Sequence, residues 1–181
     1  MGDQNNSSYI LGFVPGRRVI GLAVADESSL YYFKVQWLKR FKTDGEKILI
    51  INKLLCRLMN EYKPRAIVTL KLLPHREMSF NVGLLSFLKG LANTRLCPLY
   101  SFNLKEIKTI LGHKTIKNLR QLSIAMSQKY PELKSYLPNI SSASITDREK
   151  YYQPLYIAVG LVSAYNKLIE RKNEQPKLPS L

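Results

Sequence analysis

The residues whose spacing suits chemistry in this chain are cations. Lys105 and Lys108 fall on a predicted helix whose apolar positions Ile107, Ile110 and Leu111 face inward, which leaves both lysines on the wet side. Gly112-His113-Lys114-Thr115 breaks that helix, and Lys117 and Arg120 open the next at i and i+3, on one face. Lysines and backbone N–H groups at a helix start suit phosphate oxygens. The same spacing would also serve an ordinary solvated face. A second set, Lys34, Lys39, Arg40 and Lys42, is interleaved with Trp37 and Phe41. Aromatics among cations can stack on bases, and they suit the inner face of a strand end equally well. Arg17 and Arg18 add two cations on a predicted tight turn.

Other chemistries have less to work with. His75 and His113 stand alone, and no Ser or Cys has a local nucleophile signature. Cys56 and Cys97 lack metal-ligand spacing and read as buried free thiols of a cytoplasmic protein. Gly12, Gly16 and Gly21 sit in a predicted hairpin, whereas a dinucleotide fingerprint must precede a helix.

The bulk charge agrees with the local pattern. Lys and Arg number 28 against 13 Asp and Glu, a net of +15. Such an excess attracts polyanions: nucleic acid first, an anionic membrane surface or an acidic protein second. A hydrophobic content of 45% excludes a disordered chain, and 181 residues suit one domain with a real core. No apolar run reaches about 18 residues, so a membrane span is not expected. Residues 1–8 are polar without a signal-peptide core and read as a flexible N-terminus. Residues 9–171 are expected to form the domain, and 172–181, with two prolines, a flexible tail. A cytoplasmic location follows as an expectation.

Two hydrophobic periods alternate along the chain. Residues 9–13, 19–25 and 31–36 read as strands, joined by Pro15-Gly16 and by Asp26-Glu27-Ser28-Ser29, which gives a three-stranded meander. A helix over 46–62 has Ile48, Ile51, Leu55, Leu58 and Tyr62 on one stripe, and Pro64 closes it. Residues 66–70 suit a buried parallel strand, 82–91 a helix and 97–102 a fifth strand. Asn103 to Glu106 resembles a capping box, opening a helix that ends near Gly112. Further helices are expected over 117–129 and 153–171, the last with Pro154 in its first turn, and 131–145 as loop. The pattern alone gives an α/β fold with a mixed sheet.

The first hairpin, Ile10-Leu11-Gly12-Phe13-Val14-Pro15-Gly16-Arg17-Arg18-Val19-Ile20-Gly21, resembles that of the RuvC-like Holliday-junction resolvases of the ribonuclease H-like superfamily. Element order and the 105–120 stretch add to the resemblance, which covers about residues 9–166. It implies a ribonuclease H-like fold: a mixed five-stranded sheet, an antiparallel three-strand meander plus parallel strands, flanked by helices. It also implies DNA as the nucleic acid, with the 105–120 stretch similar to a DNA-contacting segment of the family, although His113-Lys114-Thr115 replaces an expected glycine. A homodimer is compatible with it. Members of this family hold two divalent metals in four carboxylates. Their positions fall here on Val14, on Leu70 (Lys71 if the register slips by one), on Lys150 and on Gln153, none acidic.

The resemblance therefore implies a nuclease scaffold without catalytic residues and without a bound metal, binding structured or branched DNA through Arg17, Arg18, Lys71, Lys105, Lys108, Lys114, Lys117 and Arg120. Two alternatives stay open. One is an active nuclease using Mg²⁺ at a relocated site, drawing on Asp26, Glu77, Asp147 or Glu149. The other is a non-enzymatic module for protein interaction.

Overall fold

The computed structural model describes residues 8–71, 78–112, 116–137 and 147–174. His75, Glu77, His113 and Lys114, and the side chains of Asp147 and Glu149, lie outside what is described. Strands β1 (Ile10–Val14), β2 (Val19–Ala25), β3 (Leu30–Trp37), β4 (Ala66–Leu70) and β5 (Leu99–Phe102) form one sheet in the order β3-β2-β1-β4-β5. β1 pairs antiparallel with β2, and β2 with β3; β1–β4 and β4–β5 are parallel. Helices α1 (Asp44–Tyr62) and α2 (Met78–Thr94) cover one face. Helices α3 (Leu104–Gly112), α4 (Leu119–Lys129) and α5 (Asp147–Glu174) cover the other, with a 3₁₀ turn over Pro131–Tyr136. This is the α/β arrangement the sequence implied.

The two faces differ in the middle of β1 and β2. Toward α1 and α2 the central strands present Leu11, Phe13, Ile20, Leu22, Val24 and Ile67, packed on Ile51, Leu55, Leu58, Phe80, Leu84 and Leu88. Toward α5 they present Ile10, Val14, Val68, Ala23, Ala25 and Ala66, and between these the bare backbone of Gly12 and Gly21. A Cβ on Gly12 would run into the carbonyl of Ala158, and one on Gly21 into the carbonyl of Pro154. These glycines let the backbone of α5 rest directly on β1 and β2.

Helix ends follow side-chain chemistry. Asn103 and Glu106 form the expected capping box on α3, with Glu106 N–H to Asn103 Oδ1 at 2.9 Å. A second box, Thr43 with Glu46, starts α1 two residues before its expected start.

Three further expectations change. Lys117 precedes α4, whose N-cap is Asn118, because the Asn118 side chain takes the Gln121 N–H. α5 begins at Asp147, so Pro154 stands inside the helix and not in its first turn. Cys56 is half-buried, its thiol donating to Asn52 Oδ1 at 3.0 Å. Cys97 is buried as expected; burial pushes its thiol up to about 11, with only the Ile67 backbone acting the other way, and the thiol donates to the Pro64 carbonyl at 3.2 Å.

Candidate functional site

The parallel strands bring one set of residues to a common edge. Phe13 lies opposite Thr69, so Val14 and Leu70 end neighbouring strands side by side. Val14 also faces Gly21, against which Pro154 rests. The first turns of α5, carrying Lys150 and Gln153, therefore lie beside the carboxyl end of β1, next to which β4 ends. In open α/β sheets this edge is where ligands bind. Val14 is 4% exposed and part of the core shared with Leu155. Leu70 and Gln153 are half-buried, and Lys150 and Lys71 are exposed. Lys71 is held by its backbone N–H to the Phe102 carbonyl, 2.8 Å away.

These four positions do not fit a hard divalent ion, which requires several oxygen ligands. Val14 and Leu70 offer none, Lys150 is a cation, and Gln153 has one neutral amide oxygen. Among the described residues, no group of three or more His, Cys, Asp or Glu is placed to hold a metal. Asp26 lies at the other end of the sheet. It follows Ala25, which pairs with Ile10, four residues or about 13 Å along β1 from Val14. Its carboxylate is occupied there, accepting from Ser28 N–H (2.8 Å), Ser29 N–H (2.7 Å) and the Tyr31 hydroxyl (2.8 Å). Burial pushes its pKa up, but these hydrogen bonds outweigh that and hold it below the ordinary carboxylate value. Asp26 is thereby corrected from a candidate metal ligand to a turn-forming residue.

The cations of 105–120 form a strip and not one patch. Lys105 is exposed at the start of α3, near the carboxyl edge. α3 then runs away from that edge, and its last carbonyls accept from Lys167 Nζ (3.3 Å, Leu111) and Arg171 (3.5 Å, Ile110) on the closing turns of α5. Lys108 is half-buried and reaches across to the Lys117 carbonyl at 2.9 Å. Lys117 is exposed, its N–H bound to Gln121 Oε1 at 2.6 Å. Arg120 is half-buried on the first turn of α4, which holds no acid. Lys108 and Arg120 therefore do not lie on a fully wet face as the helical spacing suggested.

The second cationic set divides. Phe41 packs against the α1–α2 core with Arg40 over its ring at 4.8 Å. Trp37 is 42% exposed, stacked on Tyr151 (5.1 Å between centroids), with Lys39 over its ring at 4.4 Å. Sequence reasoning missed Tyr151 as its partner, and it missed Lys47. Lys47 is buried in the first turn of α1 and pairs with Asp44 at 3.4 Å. The Asp44-to-Lys47 spacing beside a capping box was the available signal.

No known family profile matches the chain, and no curated protein matches it in sequence. Solved structures do. RuvC from Thermus thermophilus aligns at a TM-score of 0.69 with 17% identity, over 91% of this chain and 96% of its own. The T. thermophilus RuvC complex with a Holliday junction substrate aligns at 0.68 with 16% identity, over 90% and 95%. The yeast mitochondrial Holliday junction resolvase Ydc2 aligns at 0.59 with 17% identity, over 92% and 82%. Strand order, flanking helices and these alignments together show that the chain has the ribonuclease H-like fold, in the arrangement of the RuvC resolvases.

Proposed function

We propose that this chain binds branched DNA on a resolvase-type scaffold and does not cut it. The observation that carries the reading is the composition of the carboxyl edge. Where the resemblance places four metal-binding carboxylates, the chain has buried Val14, half-buried Leu70 and Gln153, and exposed Lys150. Around that edge stand Arg17, Arg18 and Lys71, in a protein of net charge +15.

The binding contribution of each group follows from electrostatics. Lys71 and Lys150 supply cations at the edge, and Lys105 at the start of α3 and Lys117 just before α4 supply exposed ones. The first turn of α4 carries Arg120 and no acid, the reverse of what the helix dipole favours in isolation; a phosphate there would be attracted by both. Each phosphate neutralised releases counterions, so affinity must fall with salt at a slope near −0.9 per contact on duplex DNA. A homodimer is compatible with the resemblance, and sedimentation of the free chain checks it.

The test titrates the full chain with a four-way junction, duplex and single-stranded DNA at several salt concentrations. Binding with a steep salt slope is expected. Lys105→Ala with Lys117→Ala should weaken it and make the slope shallower by about 2. These two are the exposed members of the strip, so folding should be unchanged. A double variant with the parent's affinity and slope would remove the strip from the interface and favour an interaction module. Junction cleavage in Mg²⁺ that a chelator abolishes would overturn the non-cleaving half.

A further inference from the structure

We propose that the cleft between the β1–β2 turn, the segment after β3 and the first turn of α1 is a phosphate-ester site, with the phosphate supplied by a nucleic-acid strand. The assignment rests on the nucleic-acid reading above and adds a second place of contact, on the α1 side of the sheet.

The cleft is built by three segments tied to one another. The Leu38 N–H donates to the Arg18 carbonyl at 2.8 Å, the Phe41 N–H to the Leu38 carbonyl at 3.1 Å, and Arg17 Nε to Asp44 Oδ1 at 3.2 Å. Its lining is Arg17, Arg18, Lys39, Lys47 and Phe41, around about 320 Å³. That is the lower end of the roughly 300–1,000 Å³ of small-molecule sites.

The charges in it do not balance. Arg17 and Lys47 share a single oxygen of Asp44, at 3.2 and 3.4 Å. Glu46 is committed to the backbone N–H groups of Lys42 and Thr43. Four cations thus face one carboxylate, a surplus of three. The Lys47 side chain is only 10% exposed, and an ammonium so far from water needs more compensation than half a carboxylate. A tetrahedral anion presents several oxygens at once, at the short range where charge-assisted bonds are strongest. Phe41 gives an apolar wall for the attached sugar.

The test begins with thermal melts of the full chain in inorganic phosphate and in sodium chloride at equal ionic strength. Phosphate should raise the parent's Tm by a few degrees, and Lys39→Ala and Lys47→Met should each lose that rise. Methionine keeps the aliphatic packing of Lys47, so Lys47→Met separates loss of charge from loss of fold. A parent without a phosphate response, or variants that keep it, would overturn the site. Single-stranded oligonucleotides with and without a 5′-phosphate then assign the source. Lys39→Ala should bind both about tenfold more weakly than the parent, as an internal phosphate requires; a loss confined to the 5′-phosphorylated strand supports a terminal phosphate. Unchanged oligonucleotide affinity beside a lost phosphate response would make this a free-phosphate site and overturn the nucleic-acid assignment. A parent that binds no nucleic acid would overturn the preceding section's reading, and the melts would still judge the cleft.

Discussion

At the hairpin joining β2 and β3, Asp26 accepts from Ser28, Ser29 and Tyr31, and the Tyr130 hydroxyl donates to its carbonyl at 3.3 Å. At the opposite end of β2, on the turn from β1, Arg17 shares Asp44 with Lys47, while Arg18 and Lys39 stand beside them. The two ends are about 20 Å apart along a seven-residue strand. One uses its charge to close a turn, and every bond it makes is internal. The other gathers more cations than its acid can match. Satisfied charge is read as structure, and surplus charge as a place for a ligand.

Introducing an acid at the cation-rich end should give the largest effect. Val14→Asp would bury a carboxylate in a core of aliphatic side chains, at a cost of at least about 2 kcal/mol. It should gain no cleavage of a four-way junction in Mg²⁺, since one carboxylate among Lys71 and Lys150 cannot hold two metals. Chemical denaturation and a gel assay check the two halves. A variant as stable as the parent would mean that residue 14 can turn to water.

Removing the acid at the hairpin end should matter less, and only for stability. Asp26→Ala loses the acceptor of four hydrogen bonds and should cost about 1–2 kcal/mol, with DNA affinity unchanged. The sign with pH is fixed by the lowered pKa of Asp26. Its ionised form contributes stability above the ordinary carboxylate value, and this is lost as pH falls through the lowered value. Denaturation midpoints of parent and variant should therefore begin to converge below about pH 4 and meet only below the lowered value. A gap that persists there, or a change in DNA binding, would break the contrast between the two ends.

Neutralising Asp44 should give the smallest change in stability and sharpen the contrast most. Asp44→Asn removes the partly exposed carboxylate that Arg17 and the buried Lys47 share, so stability should fall slightly, while affinity for DNA rises because the surplus grows by one. Reduced DNA affinity at unchanged stability would show that Asp44 organises the cations and that the surplus itself is not what binds.

Much of the fold was legible because its determinants are local. The bounds of β2 and β4 match expectation, since alternating or continuous apolar runs end at turn residues. The Asn103–Glu106 box and the end of α3 at Gly112, with φ 139°, follow from side chains within a turn of where they act. Pro154 misled because its preference for a first turn is only a preference, and α5 already begins seven residues earlier, at Asp147. The carboxyl edge was legible only through the resemblance of the first hairpin. The cleft was not legible, because Arg17 and Asp44 are 27 residues apart and only the sheet and the Leu38–Arg18 bond bring their segments together.

The direct seating of α5 on Gly12 and Gly21 has a consequence for motion. Elsewhere in the core, a layer of side chains lies between helix and sheet and can absorb a small displacement by changing rotamer. Here backbone meets backbone, and there is no such layer to yield. β1, β2 and the middle of α5 are thus bound to open together or not at all, as one cooperative unit in exchange with solvent. The edge that carries Val14 and the first turns of α5 inherits that stiffness, so a ligand arriving there meets a surface whose shape is set before it binds.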